Sequence, residues 1–324
     1  MESINLLKEC EGAQSIVISG HVRPDGDCVG SCMAAYLYLK KAMPSADIKV
    51  CIEKPASVFG CIKDFELIDS SFSVEAPVDV MIALDCEKSR LGEAEEIFKL
   101  AKKTINIDHH ISNEHGCGDI NYVIPSASST SELIYDVMDK SYMDMDIAKA
   151  VYIGIVHDTG VFKHTNTTRQ TMEIAGKLIE KGARSSLVID GTFYKKTYKQ
   201  NKMLAKALDA AFLMFGGKVI VSCLTKDVFD ENEATNLDTD GIVDALRITE
   251  GVECALWMYE YPKKGTFKCS LRSNDIVNVN LIACALGGGG HVKAAGCEVE
   301  GDKDTIILKV TEMIKEQLDV ELGE

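Results

Sequence analysis

Three short apolar segments in the first half of the chain each end in acidic or histidine residues, and this feature constrains the fold most strongly. The segments are Ser15–Gly20, followed by His21; Val78–Leu84, followed by Asp85; and Thr104–Ile107, followed by Asp108. Apolar runs of this length indicate buried β-strands. Helical patterns separate them, and strands that alternate with helices favour a largely parallel sheet with helices on both faces. We therefore predict an α/β fold here.

The remaining predicted elements of this half are one strand and five helices. They are a strand at Ile48–Ile52 and helices at Asp27–Ala42, Ser131–Met138, Ile147–Val156, Thr168–Glu180 and Ser186–Phe193. The carboxyl ends of parallel strands share one edge of a sheet, where ligands of open α/β sheets bind. Aspartate is rarely buried unless it is paired or coordinates a metal. The residues expected at this edge are His21, Asp25, Asp27, Asp85, Asp108, His109 and His110.

Asp25, Asp27 and Asp158 are consistent with ligand roles, although Asp27 and Asp158 each have a structural alternative. Asp25 and Asp27 are two residues apart, so in an extended loop they would reach two neighbouring ions. Alternatively, Asp27 caps the next helix. Asp158 precedes Gly160, so it either ends a helix or supplies a fourth carboxylate. Such a set suits Mn²⁺ or Mg²⁺, less clearly Fe or Co, in a two-metal site for displacement at phosphorus.

The second half has a different pattern and predicts a smaller α+β domain. The chain has 324 residues, a length that favours two domains or one large one. The segment Tyr194–Lys202 is polar, with four lysines and no acid, and is interpreted as a linker running into a helix at Lys202–Ala211 or as a solvated helix face. Predicted strands and helices follow it. They are strands at Phe212–Phe215, Lys218–Leu224, Gly251–Tyr259, Thr266–Leu271 and Gly296–Val299, and helices at Asn280–Leu286 and Asp302–Leu322.

A glycine cluster in the second half is a candidate phosphate-binding loop. Gly287, Gly288, Gly289 and Gly290 precede His291 and Lys293. Glycine lets backbone N–H groups approach phosphate closely, although a flexible loop explains four glycines equally well. Arg272, followed by Ser273 at a strand end, would hold phosphate or form a surface salt bridge.

The net charge limits the ligands that the chain can bind, and the cysteine content indicates its redox environment. The formal net charge of −15 disfavours long nucleic acid and anionic membranes, which need a basic surface, but it permits a small phosphorylated ligand held by cations. Twelve cysteines occur without a CxxC pair, and no apolar run approaches the roughly 18 residues of a membrane span. We therefore expect a cytoplasmic protein with reduced thiols.

Taken together, these motifs resemble the DHH phosphoesterase family. The pattern is His21-x-x-x-Asp25-x-Asp27, then Asp85, then Asp108-His109-His110, then Asp158-Thr159-Gly160. The segment Gly287–His291 with Ala294-Ala295-Gly296 is similar to the C-terminal domain associated with that family. The short, two-domain organisation resembles the nanoRNase/pAp phosphatase subfamily and the related stand-alone cyclic-dinucleotide phosphodiesterases. It does not resemble the longer RecJ-type exonucleases, and the glycine loop argues against family II pyrophosphatases. The expected domains are residues 1–193 (metal-binding), a linker at 194–204, and residues 205–324 (substrate-binding), with the active site in the cleft between them.

The resemblance also implies a ligand set. Two Mn²⁺ ions, with Mg²⁺ or Co²⁺ as substitutes, would be held as follows: His21 and Asp25 on one ion, Asp27, His109 and Asp158 on the other, and Asp85 bridging both. Asp108 would orient a neighbouring histidine, and His110 would face the substrate phosphate. The rest of the nucleotide would contact Arg272, Ser273 and Gly287–His291. Arg23 and Cys28, which flank the first motif, have no interpretation from sequence.

The implied activity is hydrolysis of short oligoribonucleotides, linear dinucleotides and 3′-phosphoadenosine 5′-phosphate (pAp) through a water activated by both ions. The alternative within the family is cyclic di-AMP hydrolysis. An alternative of another class is a nucleotide-binding sensor with an idle metal site, and a purely structural metal site is a third. A homodimer is a further expectation, because an exposed sheet edge in either domain would support one.

Overall fold

The computed structural model describes residues 4–75 and 77–322, and it divides the chain into two compact units. The first runs up to Lys195 and the second begins at Lys196. Each unit has its own sheet and its own buried core.

The first unit contains a parallel sheet with the strand order β2-β1-β3-β4-β5. Its strands are β1 Ser15–Ser19, β2 Asp47–Val50, β3 Val80–Leu84, β4 Thr104–Asp108 and β5 Ile120–Val123. Its helices are α1 Leu6–Glu9, α2 Gly26–Ala42, α3 Ala94–Leu100, α4 Thr130–Val137, α5 Met145–Asp158, α6 Arg169–Glu180 and α7 Ser185–Val188. The predicted α/β fold is confirmed.

Alternate residues of the strands face opposite layers of helices, as expected for a sheet buried on both sides. Ile16 and Ile82 belong to the core that includes α2, α4 and α5. Val17 and Met81 point the other way, into a smaller core with Phe98 of α3. The predicted covering of both faces is therefore confirmed.

The second unit is built on a mixed sheet with the strand order β10-β11-β9-β8-β7-β6. Its strands are β6 Phe212–Met214, β7 Val219–Leu224, β8 Cys254–Glu260, β9 Thr266–Ser273, β10 Gly289–His291 and β11 Ala294–Glu300. Its helices are α8 Tyr198–Asp209, α9 Lys226–Glu231, α10 Ile242–Arg247, α11 Val279–Ala285 and α12 Lys303–Leu322. Only β7 and β8 pair in parallel, so this unit is the expected α+β domain.

The predicted linker is shorter in the structure than in the sequence analysis. Helix α8 begins at Tyr198, inside the segment interpreted as a linker at 194–204. The reason is a capping box, in which the Thr197 side chain accepts from the Gln200 N–H while the Gln200 side chain accepts from the Thr197 N–H. The lysines of this segment therefore lie partly on a solvated helix face, which was the other interpretation of the same residues.

Several short elements were not predicted. The strands β5 and β10 and the helices α3, α9 and α10 have seven residues or fewer, so their periodicity is weak. Among the residues that the structure describes, none of the helices combines the length and apolarity that crossing a bilayer requires.

Candidate metal centre

The predicted ligands lie together because they follow three adjacent strands of one parallel sheet. β1, β3 and β4 are neighbours in the sheet. Asp85 and His109 come directly after the carboxyl ends of β3 and β4, and His21 comes two residues after that of β1. The fourth element is α5, whose last residue is Asp158. The topology therefore brings distant parts of the chain to one edge.

Asp85 lies between two groups of side chains. Its Oδ2 is 3.4 Å from His21 Nε2, and its Oδ1 is 3.6 Å from His109 Nε2. The side chain is buried, and its backbone has a φ of 59°. This left-handed conformation is uncommon for residues other than glycine, and among those residues aspartate and asparagine adopt it most often. One carboxylate oxygen thus faces each histidine.

The first group consists of His21, Asp25 and Asp85. His21 Nε2 is 3.6 Å from Asp25 Oδ1 as well as close to Asp85. Its Nδ1 lies 2.9 Å from the Val22 carbonyl oxygen, which can only accept, so Nδ1 carries the proton in that hydrogen bond. Burial opposes protonation of His21, but the hydrogen bonds to Asp25 and Asp85 raise its pKa to about 11. A cation bound between these three groups would take the place of the proton on Nε2.

The second group places His109 among three carboxylates. His109 Nε2 lies 4.0 Å from Asp27 Oδ2, 3.6 Å from Asp85 Oδ1 and 3.6 Å from Asp158 Oδ2. His109 Nδ1 faces the Ala127 carbonyl oxygen at 3.3 Å, which again leaves Nε2 for the carboxylates. The structure thus brings together Asp27, Asp85, His109 and Asp158, the four residues that the resemblance assigns to the second ion.

The charges in this centre repel one another unless a cation is present. Burial, together with the charges of Asp85 and Asp158, raises the pKa of Asp27 well above its usual range. Burial also raises the pKa of Asp158 to about 6, which the nearby His109 partly offsets. Buried carboxylates that crowd each other in this way are typical of metal sites. Among the described residues, two groups have donor atoms close enough to hold an ion: His21 with Cys28 and Asp85, and Asp85 with His109 and His110.

The helix cap at the first motif differs from the expectation. Asp25, not Asp27, caps α2, and its Oδ1 accepts from the N–H groups of Asp27 and Cys28. Asp27 instead accepts from the N–H groups of Thr130 and Ser131 at the start of α4. The reason is that α2 begins one residue earlier than predicted, at Gly26. Asp27 therefore ties α4 to the metal centre.

Asp108 is placed to position His110. Its fully buried carboxylate accepts from His110 Nδ1 at 2.7 Å and from Asn113 Nδ2 at 2.8 Å. The bond to Asp108 raises the pKa of His110, whose side chain is about one-third exposed. Asp108 also accepts from the N–H groups of residues 109 and 110, so it fixes the whole turn.

Two side chains in the centre were missed by the sequence analysis. The Thr130 hydroxyl donates to Asp85 Oδ1 at 3.0 Å, and Asn166 Nδ2 donates to Asp158 Oδ2 at 3.2 Å. In the sequence, Ser129 followed by Glu132 indicates a helix start, which is the only local signal at Thr130. Nothing local marks Asn166.

In the second unit, Arg272 and His291 share one face of the sheet. The register pairs Arg272 of β9 with Ala294 of β11, and Ala294 with His291 of β10. Directly paired residues point to the same face, so a small alanine separates the arginine from the histidine. Arg272 Nε lies 3.5 Å from Asp244 Oδ1, and the side chains of both are partly exposed. The salt bridge therefore leaves the guanidinium partly accessible.

Other residues of the predicted phosphate-binding region make contacts within the second unit. The buried Ser273 hydroxyl donates to the Val277 carbonyl oxygen at 2.6 Å. The Lys293 ammonium donates to the Asp275 carbonyl oxygen. Gly289 to His291 form an edge strand rather than a free loop. Gly288 packs so closely on β11 that a Cβ there would lie 2.2 Å from the Gly296 carbonyl oxygen.

Comparison with protein families finds two matches. The N-terminal domain of the DHH family matches residues 15–155, and the DHHA1 domain matches residues 216–316. The first range contains the predicted ligands except Asp158, and the second contains Arg272 and the glycine cluster.

Known relatives and structures agree with these matches. The bifunctional oligoribonuclease and PAP phosphatase of Thermus thermophilus is 30% identical over 97% of this chain and 92% of its own length. The protein of the same name from Bacillus subtilis is 27% identical over 96% and 98%. The crystal structure of an exopolyphosphatase-related protein from Bacteroides fragilis has a TM-score of 0.84 at 23% identity, and the match covers 95% of this chain and 94% of that one. The structural likeness supports the fold.

Proposed function

The chain belongs to the DHH family, and from this premise we propose that it is a metal-dependent phosphohydrolase of short nucleotides. The observation that carries the proposal is Asp85, which offers one carboxylate oxygen to each of two groups built on His21 and His109. The proposed substrates are short oligoribonucleotides, linear dinucleotides and pAp. The named activities of the Thermus and Bacillus relatives support this choice.

The donor set fits two divalent cations, which we propose are Mn²⁺. His21 and Asp25 would hold one, and Asp27, His109 and Asp158 the other, with Asp85 shared. When bound, such a pair lowers the pKa of a coordinated water, so that hydroxide is available as the nucleophile. It also neutralises charge on the phosphoryl oxygens. Carboxylate and imidazole ligands suit this metal.

The other residues of the centre have positioning roles. Asp108 holds the His110 ring through Nδ1, so the opposite edge of the ring is free to contact a phosphoryl oxygen. Thr130 and Asn166 hold the carboxylates of Asp85 and Asp158 by hydrogen bonds. Fixed donors and acceptors around a reacting phosphate supply most of the rate enhancement in phosphoryl transfer, because little covalent chemistry falls to the protein.

Removal of divalent cations tests the proposal directly. Chelated protein should release no phosphate from pAp, and added Mn²⁺ should restore release and raise the melting temperature, because ions that bind only the folded state stabilise it. A phosphate assay and thermal unfolding with and without Mn²⁺ measure both effects. A rise in melting temperature without any hydrolysis would contradict the enzyme and favour the nucleotide-binding sensor.

Arg272 is proposed to bind the part of the nucleotide that does not react. Arg272→Ala should raise the KM for pAp by about tenfold or more, because a hydrogen-bonded charge contributes roughly 1.5–3 kcal/mol. The matched control is Arg247→Ala, since Arg247 also lies beside Asp244, with Nε 3.6 Å from Oδ1. Steady-state kinetics should show an unchanged KM in that control. An equal KM in the wild type and Arg272→Ala would remove Arg272 from the substrate site.

A further inference from the structure

Cys28 lies at the first ligand group, although nothing in its sequence spacing marks it as a ligand. Its sulfur, one ring nitrogen of His21 and one carboxylate oxygen of Asp85 all lie within 4.8 Å of one another. All three residues are buried, and Cys28 is 0% exposed. The second group around His109 has no sulfur in the corresponding place among the described residues. The two groups therefore differ in donor chemistry.

The local fold places this sulfur at the end of β1. Cys28 is in the first turn of α2, directly after the Asp25 cap. Gly20, at the end of β1, leaves room for the thiol, because a Cβ there would lie 2.3 Å from Cys28 Sγ. The sulfur lies 4.0 Å from the His21 carbonyl oxygen, which is a weak contact. The thiol is thus held beside the site without a strong oxygen partner of its own.

Two physical properties favour a sulfur ligand at this position once a cation is bound. The N-terminus of a long helix stabilises negative charge, and α2 has 17 residues. Thiolates prefer softer divalent ions such as Zn²⁺ and Co²⁺, whereas carboxylates and water suit Mg²⁺ and Mn²⁺. The thiol proton passes to solvent when the sulfur binds the ion.

We propose that Cys28 is a further ligand of the cation held by His21, Asp25 and Asp85, and that it shifts this site toward thiophilic divalent ions. The inference rests on the proposed function, because it takes this group to hold a cation. It makes the two metal positions inequivalent: one offers nitrogen, oxygen and sulfur, and the other offers nitrogen and oxygen alone. The first position would therefore bind Zn²⁺ or Co²⁺ more tightly, relative to Mn²⁺, than the second position does.

Cobalt absorption tests this proposal without an activity readout. Chelated protein titrated with Co²⁺ should develop a thiolate-to-cobalt charge-transfer band in the near ultraviolet, together with the weaker visible bands of bound Co²⁺. Cys28→Ala should lose the charge-transfer band and keep the visible bands. The matched control is Cys32→Ala, because Cys32 lies one turn further along α2 and is also 0% exposed. That control should keep both sets of bands.

The outcomes separate this inference from the proposed function. A charge-transfer band that persists in Cys28→Ala, or visible bands without a charge-transfer band in the wild type, would overturn the cysteine ligand and leave the metal centre standing. Absence of Co²⁺ binding to the wild type would overturn both. Cys28→Ser serves as a second variant if the alanine protein does not fold, since serine keeps the size of the side chain. It should also lose the charge-transfer band.

Discussion

Replacement of Asp85 by asparagine is expected to lower phosphate release from pAp by about a thousandfold or more while the protein stays folded. Asp85 is the residue shared by both ligand groups, with oxygens 3.4 Å from His21 Nε2 and 3.6 Å from His109 Nε2. An amide offers one neutral oxygen in place of two charged ones. Neither group would then hold its cation firmly.

Asparagine is the informative substitution because it isolates the charge. Asparagine tolerates the left-handed backbone at position 85, where φ is 59°. Its amide oxygen can still accept from the Thr130 hydroxyl. Loss of this carboxylate relieves repulsion on Asp27 but removes a charged partner of His21, so the metal-free melting temperature is needed to show that the variant stays folded.

The experiment compares kcat/KM and metal-free melting temperatures of the wild type, Asp85→Asn and the control Asp47→Asn. Asp47 is an exposed aspartate at the start of β2, in the same unit. The control should match the wild type in both measurements. If Asp85→Asn keeps activity within tenfold of the wild type, the shared-ligand role of Asp85 is wrong.

Replacement of Gly154 by alanine is the second change with a large expected effect. Gly154 lies in α5 where the helix passes the metal centre, and a Cβ there would be 1.8 Å from Ser131 Oγ and 2.6 Å from Asp27 Oδ1. A neighbouring side chain must move to make room for the methyl group, and the two nearest are those of Ser131 and Asp27. Overpacking of this kind costs about 1–3 kcal/mol of stability. A displacement of a ligand by roughly 1 Å lowers activity by about a hundredfold.

Gly176→Ala is the matched control for that substitution. Gly176 lies in the interior of α6, and a Cβ there would meet nothing within 4 Å. Alanine in an open helix position stabilises by about 0.5–1 kcal/mol relative to glycine, so this variant should melt slightly higher with unchanged activity. Denaturant unfolding and phosphate release measure both variants. Equal activity of Gly154→Ala and the wild type would show that α5 does not constrain the centre.

The ligand-bearing edge of the first sheet was predictable because all strands of a parallel sheet end at the same edge. The strands that lead to His21, Asp85 and Asp108 are short, buried and separated by helices. Such strands run parallel, so their carboxyl ends lie at one edge of the sheet. The residues that could hold a cation therefore followed from three local patterns. The resemblance to the DHH family added the division of these ligands between two ions.

Residues that act through distant contacts were not predictable in the same way. Thr130 and Asp85 are 45 residues apart, and the helix cap at Ser129 gives no sign that the next hydroxyl reaches a carboxylate. Asn166 lies in a loop whose partners come from other elements. The proposed ligand role of Cys28 could not be predicted for the same reason, because the turn between β1 and α2 determines which side chains surround it.

Boundaries were the other source of error. The start of α8 at Tyr198 depends on the capping box of Thr197 and Gln200, which lies within a run of lysines typical of a linker. The edge strand Gly289–His291 consists of residues that favour a flexible loop, and its pairing with β11 comes from tertiary contacts.

The net charge of −15 is consistent with this account of the centre. Asp27, Asp85 and Asp158 place negative charge in or near a buried site, where bound cations would reverse the local potential. The remaining acidic surface still disfavours long polyanions, because they need a basic footprint. Short nucleotides are the class that satisfies both conditions.

The central claim is best tested by measuring turnover of pAp, the linear dinucleotide pGpG and cyclic di-AMP side by side with Mn²⁺. We expect release of phosphate from pAp and of mononucleotides from pGpG, with little turnover of cyclic di-AMP. Hydrolysis of cyclic di-AMP alone would contradict the proposed substrate class. Absence of any hydrolysis by Mn²⁺-loaded protein would contradict the enzyme itself.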